Sequence, residues 1–295
     1  RALLFSRVWV SNSGMDRGIE LKRKGVLKVE TWHGTPLKKI CGEENSSTLG
    51  GAPKPYTGPL DSKTIRCAQS EYDREIFQRL FHAGRDAVLL CDLPRNDPLL
   101  RYTLQDIAAI RRRLDIPEAK KVLLYTPTYR EYLIDAHRDT YIAPPMDLAK
   151  WKAVLGEDYV LLVRAHYAVT AALSEDEFVR DVSAYPTLND LYIIADAMIS
   201  DYSSTFFDYS ILDRPMFCFA YDLDEYEEKR GLYLPLAETL PCPIDRDEDA
   251  LLKHIKTMDA AEYAARTRVF HQRFTPHAGH AAEAVVNEMK RRLNA

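Results

Sequence analysis

The stretch Thr31-Trp32-His33-Gly34-Thr35-Pro36-Leu37-Lys38-Lys39 sets a histidine in a turn-like context beside hydroxyl and ammonium donors. Imidazole titrates near neutrality, so His33 can take a proton, give one, or donate to an anion. Gly34 lets the backbone come close to a ligand, and Pro36 suits a first helical position. The pattern therefore predicts His33 projecting just before a helix. From these residues alone it reads as a base, a phosphate ligand or a loop histidine.

Three further groups fall where apolar runs are predicted to end as strands. Val163-Arg164-Ala165-His166 closes one run, and strand alternation predicts Arg164 and His166 on the same side. A guanidinium fork fits phosphate oxygens, and a histidine adds a donor or a proton. Pro127, Thr128 and Arg130 form a similar polar tip on the preceding run. In ISDYSSTFFDYS (199–210) a strand leads through Ser203 and Ser204 into an apolar helix, with Asp208 on the same helix face as Ser204. Free N–H groups and the dipole at such a terminus attract phosphate. A plain serine N-cap and a surface arginine remain open alternatives.

These groups need a scaffold that gathers strand ends. Predicted strands at 2–10, 26–32, 64–70, 87–92, 121–128, 159–166, 197–201 and 215–221 alternate with predicted helices at 73–81, 104–115, 189–196, 204–212, 247–258 and 260–274. This is the pattern of α/β units with parallel sheets, whose ligands bind beyond the carboxyl ends of the strands. The two prolines of DLPRNDPLLR (92–101) predict an interdomain hinge. The division is then 1–98, 99–275 and a C-terminal helix over 276–295, with the opening at Arg1 suggesting that N-terminal sequence is missing.

Composition narrows the function. With 295 residues, 46% hydrophobic and 28% charged, the chain reads as a globular protein of two domains. A net charge of −4 argues against a general nucleic-acid binder. Basic runs at 21–28, Lys38–Lys39 and 290–292 are either solvated faces or attractors of anionic lipid or polymer. The five cysteines show no zinc spacing and suggest reduced thiols. No apolar run is long enough for a transmembrane helix, and there is no GxGxxG or Walker loop. No carboxylate cluster has magnesium spacing, so neither metal nor cofactor is expected.

TWHGTPLKK (31–39), PRND (94–97), LLYTPTYRE (123–131), LVRAH (162–166), the block from Asn189 to Tyr226 and RGLY (230–233) resemble the CDP-glycerol glycerophosphotransferase family of teichoic-acid primases, polymerases and capsule enzymes. The resemblance implies a GT-B architecture of two facing Rossmann-like domains, acceptor side first and CDP-alditol side second. It implies transfer of glycerol phosphate, or ribitol phosphate, from a CDP-alditol to a lipid-linked acceptor, with CMP leaving, at the cytoplasmic face of the membrane. His33 and His166 are then the catalytic histidines, His33 as base and His166 also at the donor phosphates. Gly34, Thr35, Pro36, Leu37 and Arg95, from the first domain's motifs, are likewise implied to bind the donor or its phosphates. Pro127, Thr128, Arg130, Arg164, Ala165, Ser203, Ser204 and Asp208 would surround the donor phosphates. A nucleotide-sugar glycosyltransferase and a non-catalytic module for anionic polymers are the competing expectations.

Overall fold

The computed structural model describes residues 5–12, 25–45, 63–128, 130, 145–165 and 176–294. The chain forms two compact units, one of residues 1–36, 54–101 and 272–295, the other of 37–53 and 102–271.

The first unit holds a four-stranded parallel sheet in the order β1-β2-β3-β4, made of Val8–Ser11, Leu27–Glu30, Thr64–Ala68 and Val88–Leu90. Helix α1 (Glu71–Phe81) follows β3 and buries Ile76, Phe77, Leu80 and Phe81. The first strand is later and shorter than the 2–10 expected: Phe5 lies in a helical turn, and 2–4 fall outside the described residues.

The 92–101 segment, expected as a hinge, ends where the chain passes from the first unit to the second, between Arg101 and Tyr102. Pro94–Leu100 is a 3-10 turn with Asn96, Asp97 and Leu99 buried. The last helix, α10 (Ala281–Leu293), packs with this turn rather than standing apart. Asp97 Oδ1 and Oδ2 accept from the Ala281 and Ala282 amides at 2.8 and 2.9 Å. Ala281 and Val285 join Leu27, Val29, Ile65, Cys67, Cys91 and Leu93 in one core. Pro94 is compatible with this turn because it opens it, where no N–H is needed.

Near its end, α10 carries Glu288 between Arg291 and Arg292, at 2.6 Å from each. The hydrogen bond from Arg291, then that from Arg292, holds the Glu288 carboxyl down at about 2, against an ordinary 4.5. A depressed carboxyl stabilises the fold above its unfolded pKa and loses that effect as pH falls. The stability difference between wild type and Glu288→Gln is therefore expected to be full above pH 4.5 and to shrink toward pH 2. Urea titrations of both proteins across that window check it.

The second unit holds a six-stranded parallel sheet in the order β10-β9-β8-β5-β6-β7. Its strands are β5 (Lys121–Tyr125), β6 (Tyr159–Val163), β7 (Val179–Asp181), β8 (Ala197–Ser200), β9 (Met216–Phe219) and β10 (Ile244–Asp245). Every residue of β6, β8 and β9 is buried, as expected of strands covered on both faces. In chain order the sheet grows one way from β5 through β7 and the other way from β8 through β10. The direction thus switches between the adjacent strands β5 and β8, the place where open α/β sheets bind ligands.

Helices α2 (Leu104–Arg113), α3 (Leu148–Leu155), α4 (Leu188–Ile194), α5 (Thr205–Ser210), α6 (Leu223–Lys229), α7 (Leu236–Thr239), α8 (Glu248–Thr257) and α9 (Ala260–Phe274) complete the described helices. β7, β10, α3, α6 and α7 had no counterpart among the expected elements. They are short, and their tertiary contacts decide them. β5 and β6 also stop three residues before their expected ends, so Thr128 and Arg164 lie in loops, where strand alternation no longer governs their direction.

Candidate functional site

In the first unit the site begins with an unusual backbone. Trp32 has φ 61° and Gly34 φ 143°. A positive φ is uphill for a bulky aromatic residue, and surrounding contacts must hold it. The Trp32 indole meets Phe77 and Phe81 edge-on, at centroid distances of 5.4 and 5.5 Å. The guanidinium of Arg66, a buried residue of β3 paired with Glu30, lies 4.7 Å from the indole centroid. The His33 ring stacks on the other part of this assembly, 4.2 Å from the Trp32 ring.

His33 is exposed, and its Nδ1 lies 2.9 Å from the Asn12 carbonyl oxygen. A carbonyl only accepts, so Nδ1 carries the hydrogen, and in the neutral ring Nε2 holds the lone pair. That is the tautomer a general base needs.

Arg95, exposed, donates from Nη2 to the His33 carbonyl at 3.1 Å. It therefore braces the turn in this structure. Gly34, Thr35 and Pro36 are buried, Thr35 donating from N and Oγ1 to Gln69 Oε1 at 3.1 and 2.9 Å. Tyr72 donates to the Pro36 carbonyl at 2.7 Å.

The helix expected to start at Pro36 does not form. In the second unit the Leu37 carbonyl accepts from Tyr233 N, and Lys39 N donates to the Gly231 carbonyl. Lys38 makes an antiparallel bridge with Leu232. These pairings hold the segment extended, and Leu37 is itself buried, with its backbone already committed.

In the second unit, the loops after β5 and β8 flank the switch point. Asp201, fully buried, accepts from the Thr128 and Tyr202 amides at 2.9 and 2.7 Å. Arg130 is a correction to its expected role. Its Nε and Nη2 form a two-pronged pair with Asp222 at 2.7 and 2.8 Å, and Nη1 donates to Asp201 and the Thr128 carbonyl at 2.8 and 2.6 Å. Four of five N–H donors are thus committed inside the protein. Burial alone would lower its pKa, but the Asp201 and Asp222 carboxylates reverse the shift and hold it charged. The rings of Tyr202, Tyr221 and Tyr226 surround the guanidinium at 4.8–5.2 Å. Arg130 is a buried brace for this loop pair and offers no fork to a phosphate.

Ser203 and Ser204 are half-buried at the start of α5. Thr205 N donates to Ser203 Oγ at 3.2 Å, while Ser204, at the N-cap, makes no side-chain cap bond among the described residues. Asp208 is buried. Arg164 donates from Nη1 to the Tyr185 and Val182 carbonyls at 2.6 and 3.3 Å. Its other guanidinium nitrogens make no hydrogen bond among the described residues, and burial lowers its pKa. Ala165 is buried, its amide on Ser183 Oγ. Pro127 is half-buried. His166 lies outside the described residues.

Residues 1–290 match the CDP-Glycerol:Poly(glycerophosphate) glycerophosphotransferase family. The chain belongs to that family. It is 39% identical over 257 residues to the teichoic acid glycerol-phosphate transferase of Staphylococcus aureus, covering 83% of this chain and 66% of that one. It is 35% identical to the teichoic acid poly(glycerol phosphate) polymerase of Staphylococcus epidermidis, covering 90% of this chain. It spans only 39% of that polymerase's length. The structure superposes on that of a single-substitution variant of the wall teichoic acid polymerase TagF soaked with CDPG, with a TM-score of 0.88 and 31% identity, covering 99% of this chain and 74% of that one. The fold is the expected GT-B type of α/β with parallel sheets.

Among this family member's described residues, no three His, Cys, Asp or Glu side chains are grouped to hold a metal ion. No described helix is long and apolar enough to cross a membrane. Sequence reading missed Asn12, Gln69 and Asp222, and it placed Asp201 at a strand end without giving it a role. Asp201 sits inside a quoted motif, yet nothing in the motif tells a structural carboxylate from a ligand-facing one.

Proposed function

We propose that this family member transfers glycerol phosphate from CDP-glycerol to a hydroxyl of a lipid-linked acceptor, in teichoic-acid or related cell-wall polymer synthesis at the cytoplasmic face of the membrane. His33 Nε2 takes the proton of the attacking hydroxyl. The acceptor oxygen bonds the β-phosphorus, the bond from that phosphorus to the bridging oxygen breaks, and CMP leaves with the electron pair. The second unit supplies the groups that neutralise the pyrophosphate: Arg164, His166, Ser203, Ser204 and the loop carrying Thr128 at the switch point. The observation that carries the reading is the Asn12 carbonyl on His33 Nδ1, which sets the neutral tautomer with its lone pair on Nε2 in an exposed ring. The 39% identity to a glycerol-phosphate transferase favours glycerol over ribitol.

Calorimetric titration of the protein with CDP-glycerol, CDP-ribitol and UDP-sugars tests the donor class. The reading requires tighter binding of the CDP-alditols, with CDP-glycerol first. Preference for a UDP-sugar would make the protein a glycosyltransferase on the same scaffold.

Arg164→Lys is expected to weaken donor binding and to slow turnover. Lysine keeps the charge but loses the fork, and one ammonium cannot replace Nη1 on Tyr185 and Val182 while also reaching a phosphate. Titration and kinetics equal to wild type would place Arg164 outside the donor site.

A further inference from the structure

We propose that Gln69 is a positioning residue that latches the His33–Thr35 turn, a role that rests on the reading of His33 as base. Gln69 is fully buried just beyond β3. Its Oε1 accepts both the amide and the hydroxyl of Thr35. Its Nε2 donates to Asp92 Oδ1 at 2.9 Å. A backbone N–H only donates and a carboxylate only accepts, so the orientation of the Gln69 amide is fixed. Asp92 Oδ1 also accepts from Asn96 Nδ2 and the Leu93 amide. Asp73 Oδ2 accepts from Gln69 N at 2.9 Å and, at 3.1 Å, shares the single Thr35 hydroxyl hydrogen with Gln69 Oε1.

Gln69 thereby ties the turn bearing the base to the segment from Asp92 to Asn96, whose Arg95 holds the His33 carbonyl. Without it the Thr35 amide would lose its acceptor, leaving only the Thr35 hydroxyl on Asp73 to hold a turn that keeps the uphill backbone at Trp32. A small displacement of a base is costly because proton transfer needs hydrogen-bond reach to the reacting hydroxyl. Gln69 is itself buried beneath the turn, so it acts through Thr35 and not on the donor.

The test uses Gln69→Leu in the whole protein, with amide exchange at Thr35 and kinetics with CDP-glycerol and a lipid-linked acceptor. Exchange at Thr35 should quicken by about tenfold or more, because a buried amide loses its acceptor. Turnover should fall by about 10–100-fold, with KM for the donor nearly unchanged. Unchanged exchange, wild-type turnover, or a donor KM rising in step with the loss would overturn the proposal. If Gln69→Leu does not fold, Thr35→Val decides: it removes the hydroxyl bonds but keeps the amide on Gln69. A smaller fall in turnover at constant KM supports the latch, and wild-type kinetics overturn it. A wild-type protein that transfers nothing from CDP-glycerol would sink the proposed function, while the exchange measurement would still decide whether Gln69 holds the turn.

Discussion

His33→Ala is expected to slow transfer by about 10²–10⁴-fold while the fold and donor affinity survive. The fold survives because the ring is exposed and Trp32, which remains, carries the packing against Phe77 and Phe81. Donor affinity survives because the proposed phosphate groups, Arg164, Ser203 and Ser204, belong to the second unit. His166→Ala is expected to weaken donor binding as well as rate. Single-turnover rates and donor titrations of the two variants, run together, check both statements. Equal loss of donor binding in both would make His33 a phosphate ligand.

Arg130→Leu is expected to destabilise the second unit by about 3–5 kcal/mol, the cost of leaving buried carboxylates without their cation. Asp201 and Asp222 both lose their charged partner, and the Thr128 carbonyl loses a donor. Arg130→Lys should recover only part of this, since an ammonium cannot span Asp201, Thr128 and the two oxygens of Asp222 together. Urea denaturation gives the difference. An Arg130→Leu protein as stable as wild type, with weakened donor binding, would return Arg130 to the phosphate role that its place after a strand suggested.

Arg130 shows why the site was only partly legible in the sequence. An arginine beyond a strand looks the same whether it meets a ligand or carboxylates 71 and 92 residues further on. The strand cores were legible because β6, β8 and β9 are buried on both faces and read as unbroken apolar runs. Their ends were not, because strands stop where partners stop, and β5 and β6 give way to loops before Thr128 and Arg164. Pro36 suited a helix start by local preference, but pairing of the next residues with Gly231–Tyr233 prevailed. His33 was legible as a residue type in a turn. The Asn12 carbonyl that sets its tautomer lies 21 residues away, and Gln69 lies 34 residues from Thr35 in a segment that read as plain strand.

Weighing the products tests the central claim most directly. The full-length protein is incubated with CDP-glycerol and a lipid-linked acceptor, and acceptor mass and released nucleotide are followed by mass spectrometry. The account predicts that the acceptor gains the mass of glycerol phosphate, with one CMP released for each unit added. His33→Ala should yield almost none of either in the same time. Acceptor left unchanged, a gain equal to a sugar from a UDP-sugar donor, or full transfer by His33→Ala would contradict it.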